Sequence, residues 1–212
     1  MISFSIFNIP VRVLPWFWIT LALIGGALGA DSKQALFNIL LFLLAGFISI
    51  LIHELGHALT AKHFGKQVEI VLQAFGGYAA YSGGAPLSRK QAFLITAAGP
   101  AIQIVLGMLV FAILKQTQEI NPQAAYFLLI LAWISIVWAV LNLIPVLPLD
   151  GGRLLETVLG PQRRQLTLKI SMGVAITTGL LGFAFTNSFL LPIFMGIMAY
   201  ESYKALQQSS WR

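Results

Sequence analysis

The chain has 212 residues, of which 58% are hydrophobic and 9% are charged. This composition and its positive mean hydropathy exclude an ordinary soluble domain and predict a membrane protein with about six spans. The chain contains no cysteine, which excludes disulfides, thiolate zinc sites and cysteine catalysis. The formal net charge is +6, but the basic residues stand at the ends of apolar runs, where they act as topology signals rather than as a nucleic-acid surface.

Six apolar segments are predicted to be transmembrane helices, which makes the fold class an all-α polytopic membrane protein. Their predicted bounds are 14–30, 35–61, 91–114, 123–143, 166–185 and 189–206. We expect one membrane-embedded domain over residues 1–212, with its catalytic core at about 35–152. The N-terminal stretch up to Val13 is expected to lie on the membrane or to pair as a short strand. A cleaved signal peptide is the alternative for the first segment, because Ala27-Leu28-Gly29 has the small residues of a cleavage site.

The segment after the second span is β-prone and is interrupted by glycine pairs. Val68 to Ser88 contains Gly76-Gly77 and Gly83-Gly84, which make it too short and too broken for a span. It predicts either a surface hairpin or a re-entrant β-hairpin, which lipid tolerates only where the backbone is buried in protein or faces water. In the second case, Ile70 to Leu72 would form a strand edge that pairs with an unwound substrate.

The second span ends in Ile50-Leu51-Ile52-His53-Glu54-Leu55-Gly56-His57-Ala58, an H-E-x-x-H motif. Residues i and i+4 share a helix face, so His53 and His57 can bind one metal ion together. Glu54 lies about 100° further round the helix, where it can hold a water on that metal. Ionisable groups inside a membrane helix cost on the order of +2.5 kcal/mol or more each and usually mark function, so we discard a chance occurrence. His63, beyond the apolar run, is predicted to be a surface or interfacial histidine.

A catalytic zinc usually has three protein ligands and one open position, so a third ligand is needed. The candidates are carboxylates: Asp150, Glu156, Glu201 and Glu69. Asp150 is favoured because prolines and glycines break the helix around it and allow close approach of the backbone. The alternative is that Asp150 only caps the N-terminus of a helix over Gly151 to Glu156.

The distribution of basic residues predicts the orientation of the chain in the membrane. If six spans start inside, 11 of the 13 Lys and Arg residues fall on the inner side, and only Lys33 and Lys115 fall outside. Basic loops stay in the cytoplasm, so both termini are predicted to be cytoplasmic. The same count places the His53–His57 pair and Asp150 near the cytoplasmic face.

Two motifs together resemble those of a known family. The second motif is Asn142-x-x-Pro145-x-x-x-Leu149-Asp150-Gly151, and with the H-E-x-x-H motif before it in the chain it resembles the site-2 proteases, the intramembrane zinc metalloproteases. The resemblance implies one Zn²⁺ per chain, held by His53, His57 and Asp150. It further implies that Glu54 is the catalytic acid and base and that Asn142 lies beside the substrate.

The chain departs from the family pattern in two respects. Many relatives have Asn or Ser shortly after the Gly-Pro of the third span, whereas this chain has Gln103 after Gly99-Pro100. Relatives often carry a PDZ domain or paired CBS domains, for which 212 residues leave no room, so we expect a minimal form.

The predicted function is intramembrane zinc endopeptidase activity on a transmembrane segment of another protein, as in regulated intramembrane proteolysis. The expected partners are that membrane-protein substrate, the lipid bilayer and a regulatory membrane protein, with no nucleic acid. One alternative is a metal transporter or metal-sensing membrane protein. Another is a membrane metallopeptidase whose third ligand is Glu156 or Glu201.

Overall fold

A computed structural model describes residues 1–116 and 121–210. These residues are mostly helical, with one small sheet, and the chain packs as two compact units. The first unit comprises residues 1–87 and 97–139, and the second comprises residues 88–96 and 140–212. The single domain over residues 1–212 stays a prediction.

The sheet of the first unit has four strands, two of them from the N-terminal stretch. They are β1 (Ile2–Ile6), β2 (Ile9–Val13), β3 (Gln67–Gln73) and β4 (Gly76–Ser82), in that spatial order. The pairs β1–β2 and β3–β4 are antiparallel hairpins, whereas β2 and β3 run in parallel. Ile9, Val11 and Val13 are at most 1% exposed, because alternate residues of a strand point to one face. That face forms the core of the first unit.

The position of β3 corrects one expectation about the hairpin. Ile70 to Leu72 pair with β2 on one side and with β4 on the other, and all three residues are buried. They therefore do not form a free edge, and β4 is the end strand of the sheet in the described part of the chain. The N-terminal stretch caused this difference, because it supplies a parallel neighbour that local sequence cannot reveal. The depth of the hairpin relative to a bilayer stays a prediction.

The first expected span contains a helix that is shorter than the predicted segment. Helix α1 covers only Pro15–Ile24, and a 3₁₀ turn follows at Ala27–Gly29. Gly25 caps α1, and Gly26 has a φ of 88°, a left-handed conformation that glycine adopts without strain. Ten residues of α-helix rise about 15 Å, which is about half the thickness of a bilayer core.

Four helices in the described residues are long and apolar enough to cross a membrane. They are α2 (Lys33–His63), α3 (Arg89–Gln116), α4 (Pro122–Asn142) and, after the short helix α5 (Asp150–Leu159), α6 (Arg164–Thr186). Each end lies within two residues of the predicted bound, because long apolar runs with polar ends are the strongest sequence signal for such helices. The remaining expected span coincides with α7 (Leu190–Ser210), which is not among the four. The count of six spans stays a prediction.

Helices α2, α3 and α4 approach each other through glycines in the first unit. A Cβ at Gly56 of α2 would lie 2.6 Å from the carbonyl oxygen of Ala98 in α3. A Cβ at Gly107 of α3 would lie 2.7 Å from the Ile136 side chain of α4. Pro100 lies inside α3, which is one continuous helix, and the kink that we expect there stays a prediction.

The second unit contains a short helix that begins at Asp150. This helix, α5, covers Asp150–Leu159 and precedes the α6–α7 hairpin, whose turn contains Asn187 with a φ of 51°. Val146 before α5 packs with Ala175 of α6 and Met195 of α7 in the core of this unit. The segment that leads into α5 is therefore fixed by helix packing.

Candidate metal and catalytic site

The two histidines of the motif lie together on a buried face of α2, as the sequence predicts. His53 is 3% exposed and His57 is 8% exposed. Their Nε2 atoms are 3.1 Å apart. Two nitrogens that each bind a tetrahedral zinc at 2.0–2.1 Å are about 3.3 Å apart, so this donor pair fits zinc.

The other ring nitrogen of His53 has a partner on α3. His53 Nδ1 is 2.9 Å from Oε1 of Gln103, whose side chain is fully buried. Gln103 Nε2 in turn donates to Ser49 Oγ at 2.8 Å, and Ser49 Oγ is 2.9 Å from Ser135 Oγ on α4. Sequence analysis missed both serines. The signal was present for Ser49, which precedes His53 by one helical turn on the same face of an apolar run.

A glycine on α3 makes room for the second histidine. A Cβ on Gly99 would overlap the His57 ring, with Cδ2 at 2.8 Å and Cε1 and Nε2 still closer. Any larger residue at this position must displace the ring. Gly99 therefore contributes to the site because it has no side chain, which leaves room for the His57 ring.

Glu54 lies against the end strand of the sheet. Its side chain is buried, at 4% exposed. A Cβ on Gly77 of β4 would lie 3.0 Å from Glu54 Cγ and 3.1 Å from Glu54 Oε1. The strand therefore passes directly over the carboxylate, and Gly77 permits that approach.

Asp150 lies in the second unit, at the first residue of α5. Leu149 is the N-cap residue and no side chain caps the helix, so the alternative in which Asp150 is the N-cap is wrong. The preceding loop folds tightly onto α5, since a Cβ on Gly151 would overlap the carbonyl oxygens of Leu143 and Ile144. Ser171 Oγ accepts a hydrogen bond from Leu147 N at 2.8 Å and holds this loop to α6.

The remaining candidates from the sequence have other surroundings. Asn142 is the last residue of α4 and is half-buried in the second unit. Glu69 forms an ion pair with Arg12 at 2.8 Å, and Glu156 lies 3.5 Å from Arg164. Glu201 and His63 are exposed, as expected for His63. Glu69 and Glu156 are therefore both engaged in ion pairs.

A buried H-E-x-x-H motif on a helix long enough to cross a membrane is a pattern typical of membrane metallopeptidases. Comparison with known proteins gives the family. The model of Peptidase family M50 matches residues 115–185, and a model of a family of candidate zincin peptidases matches residues 46–149.

Curated relatives align over most of the chain. A zinc metalloprotease of Methanocaldococcus jannaschii is 28% identical over 201 residues, covering 93% of this chain and 57% of the relative. Stage IV sporulation protein FB of Bacillus subtilis is 30% identical over 208 residues, covering 92% of this chain and 67% of the relative. The chain thus spans little more than half the length of the Methanocaldococcus relative, and 51% of a similar Synechocystis protein.

The fold also has a solved counterpart. A site-2 protease from Methanocaldococcus jannaschii superposes with a TM-score of 0.69 at 24% identity, covering 97% of this chain and 94% of that one. The chain belongs to the M50 family, the site-2 proteases, and the Methanocaldococcus relative is named a zinc metalloprotease.

Proposed function

We propose that the chain is an intramembrane zinc endopeptidase that hydrolyses a peptide bond in the transmembrane segment of another protein. The observation that carries this proposal is the buried pair of histidine nitrogens on a membrane-length helix, with Glu54 next to them in sequence. Ionisable residues are rare in such helices and usually functional. Their types match the requirements of metal-assisted hydrolysis.

The proposed zinc ligands are His53, His57 and Asp150, which leave one coordination position open. A bound zinc supplies a Lewis acid that polarises the scissile carbonyl and makes a water acidic near neutral pH. The imidazole and carboxylate donors suit zinc, and Gly151 and Gly152, which follow Asp150 in α5, let the preceding loop pack closely against the start of this helix. Asn142, in the same motif, is proposed to contact the substrate.

Glu54 is proposed to move the proton during hydrolysis. It accepts a proton from the attacking water and delivers it to the leaving amine, which otherwise departs poorly. A buried carboxylate beside a strand suits this role, because the strand carries backbone groups that can orient a peptide.

We further propose that the substrate unwinds and pairs with the outer edge of β4. A peptide bond in an intact helix is inaccessible, and unpaired backbone groups in lipid cost several kcal/mol each. β4 ends the described sheet and its Gly77 lies on Glu54, so a peptide added at this edge lies beside the catalytic carboxylate. Substrates should therefore carry helix-weakening Gly, Pro or Asn near the cut.

The orientation of the chain is part of the same proposal. Both termini face the cytoplasm, and the site opens to water near that face, since hydrolysis consumes water. The support is the excess of Lys and Arg in the segments assigned to the inner side.

Zinc content tests the ligand assignment. The purified protein should hold about one zinc per chain by metal analysis. The variants His53→Ala and Asp150→Ala should lose most of it, because each removes one of three ligands. Glu156→Ala is the matched control and should keep its zinc. Full zinc in Asp150→Ala with loss in Glu156→Ala would instead assign the third ligand to Glu156.

A further inference from the structure

Three fully buried polar side chains link the metal-binding histidine to α4. Gln103, Ser49 and Ser135 are each 0% exposed, although they lie on helices of membrane length. Burying a polar group is costly unless its hydrogen bonds are made, so such a group of three requires a compensating network. The network consists of consecutive hydrogen bonds from His53 to the backbone of α4.

The donor and the acceptor of each hydrogen bond can be assigned by starting from Ser135 on α4. Ser135 Oγ donates to the carbonyl oxygen of Leu131 at 2.7 Å, and a hydroxyl has only one hydrogen. At the 2.9 Å contact between the two serines, Ser49 must therefore be the donor. The single hydrogen of the Ser49 hydroxyl is then used, so Ser49 Oγ can only accept a hydrogen bond from Gln103. The amide of Gln103 must turn its nitrogen toward Ser49, as the 2.8 Å contact has it, and its oxygen toward His53.

The orientation of this amide determines the tautomer of His53. Gln103 Oε1 can only accept, so His53 Nδ1, 2.9 Å away, carries the hydrogen. In the neutral ring Nε2 then has the lone pair, and Nε2 is the atom that lies 3.1 Å from His57 Nε2.

We propose that Ser135, Ser49 and Gln103 are positioning residues that hold His53 as its Nδ1–H tautomer, so that Nε2 is ready to bind the metal. This inference deepens the proposed function, on which it rests for the identity of the metal. Partners of this kind commonly change metal affinity by about 10- to 100-fold. Ser135 acts from a different helix without touching the histidine.

The decisive variant is Ser135→Ala. Without Ser135, the Ser49 hydroxyl is free to donate to Gln103 Oε1. The amide then keeps its present orientation only through the long, 3.4 Å hydrogen bond from Gln103 Nε2 to the Ser49 carbonyl oxygen, and we expect it to rotate and present its nitrogen to His53 in part of the population. The protein is labelled with ¹⁵N-histidine, stripped of metal and examined by NMR. The wild type should show His53 only as the Nδ1–H tautomer. Ser135→Ala should show a large Nε2–H population and about 10-fold weaker zinc binding in a chelator competition.

Ser202→Ala is the matched control. Ser202 is a buried helical serine that lies 2.9 Å from another serine, Ser171, but it belongs to the second unit, whereas His53 belongs to the first. Ser202→Ala removes the same chemical group from a similarly buried side chain. Its His53 tautomer should equal that of the wild type.

Substitutions at Gln103 separate positioning from packing. Gln103→Glu keeps an acceptor for Nδ1–H and accepts from Ser49 as well, so its zinc affinity should stay within about threefold of wild type. Gln103→Leu keeps the volume but has no acceptor, so its affinity should fall by about 10- to 100-fold. An unchanged tautomer in Ser135→Ala, or equal zinc loss in both Gln103 variants, overturns the proposal. Neither readout needs a substrate, so a failure of the protease proposal would be seen separately, as zinc binding without cleavage.

Discussion

His53 and Glu54 are neighbours in sequence but serve different parts of the site, because each residue turns a helix by about 100°. The His53 ring meets Gln103 of α3, whereas the Glu54 side chain lies against Gly77 of β4. One turn of α2 therefore contacts both a helix and a strand. This arrangement separates the metal-binding role that we propose for His53 from the proton-transfer role that we propose for Glu54.

Gly99→Ala is predicted to weaken zinc binding. The added Cβ overlaps the His57 ring, and overpacking of a buried site costs about 1–3 kcal/mol, or about 5- to 150-fold in affinity. The measurement is a zinc titration against a chelating dye. The control is Gly173→Ala in α6, where a Cβ meets no atom within 4 Å. Wild-type affinity in Gly99→Ala would mean that the ring moves without loss.

Sequence analysis identified His53, Glu54 and His57 because their spacing along one helix is that of a known metal-binding motif. Sequence analysis did not identify Ser135 and Gly77, because their roles arise from contacts between elements that are far apart in the chain. Gln103 stood out only as a departure from the family pattern. Its partner could not be inferred, because the register between α2 and α3 depends on the close approach of Gly56 to Ala98 and Ile102.

At the level of elements, the sheet connects the N-terminal stretch to the site. β2 pairs with β3, β3 with β4, and β4 lies on Glu54. The N-terminal residues thus brace the strand that we propose receives the substrate. Lys62 near the end of α2 adds to this bracing, since its Nζ donates to the carbonyl oxygen of Phe7 in the β1–β2 turn at 2.7 Å.

Proline substitutions in β4 are predicted to affect substrate turnover selectively. Successive residues of an antiparallel end strand direct their N–H groups alternately toward the neighbour and toward the open edge. Tyr78 and Ala79 are adjacent, so one of the variants Tyr78→Pro and Ala79→Pro removes an N–H group that faces the open edge of β4. The other removes an N–H group that forms a backbone hydrogen bond to β3. The edge variant should keep its zinc and its melting temperature and should cleave a membrane substrate much more slowly than a soluble, extended peptide.

The other proline variant is the internal control, since it should lose stability instead. Cleavage of the membrane substrate at the wild-type rate by both variants, each with full zinc, would rule out strand addition at β4. Loss of zinc in both would show that the hairpin supports the site and would remove the reason for assigning it to the substrate.

At the level of the whole molecule, length and hydropathy predicted α2, α3, α4 and α6 closely because long apolar runs determine membrane helices. Within the first expected span, α1 ends after ten residues at Gly25-Gly26, because Gly26 adopts a left-handed conformation that breaks the helix. The parallel β2–β3 pairing has no local signature at all.

Reporter fusions test the orientation of the chain. Fusions after Gln67, Gln165 and Arg212 should report the cytoplasm, and fusions within residues 118–123 should report the opposite side, because of the basic residues in the inner segments. Residues 118–120 and Arg212 lie outside the described residues. An outside signal at Gln165 would put the two metal motifs on different faces and would contradict the proposed site.

The most direct test of the central claim is to map the cut made by the purified protein in liposomes that contain a single-span substrate. Mass spectrometry should find a zinc-dependent cut inside the transmembrane segment. Glu54→Gln should keep its zinc and lose activity by at least about 100-fold, whereas the ion-paired control Glu69→Gln should stay active. A cut outside the membrane segment, or wild-type cleavage by Glu54→Gln, would contradict the account.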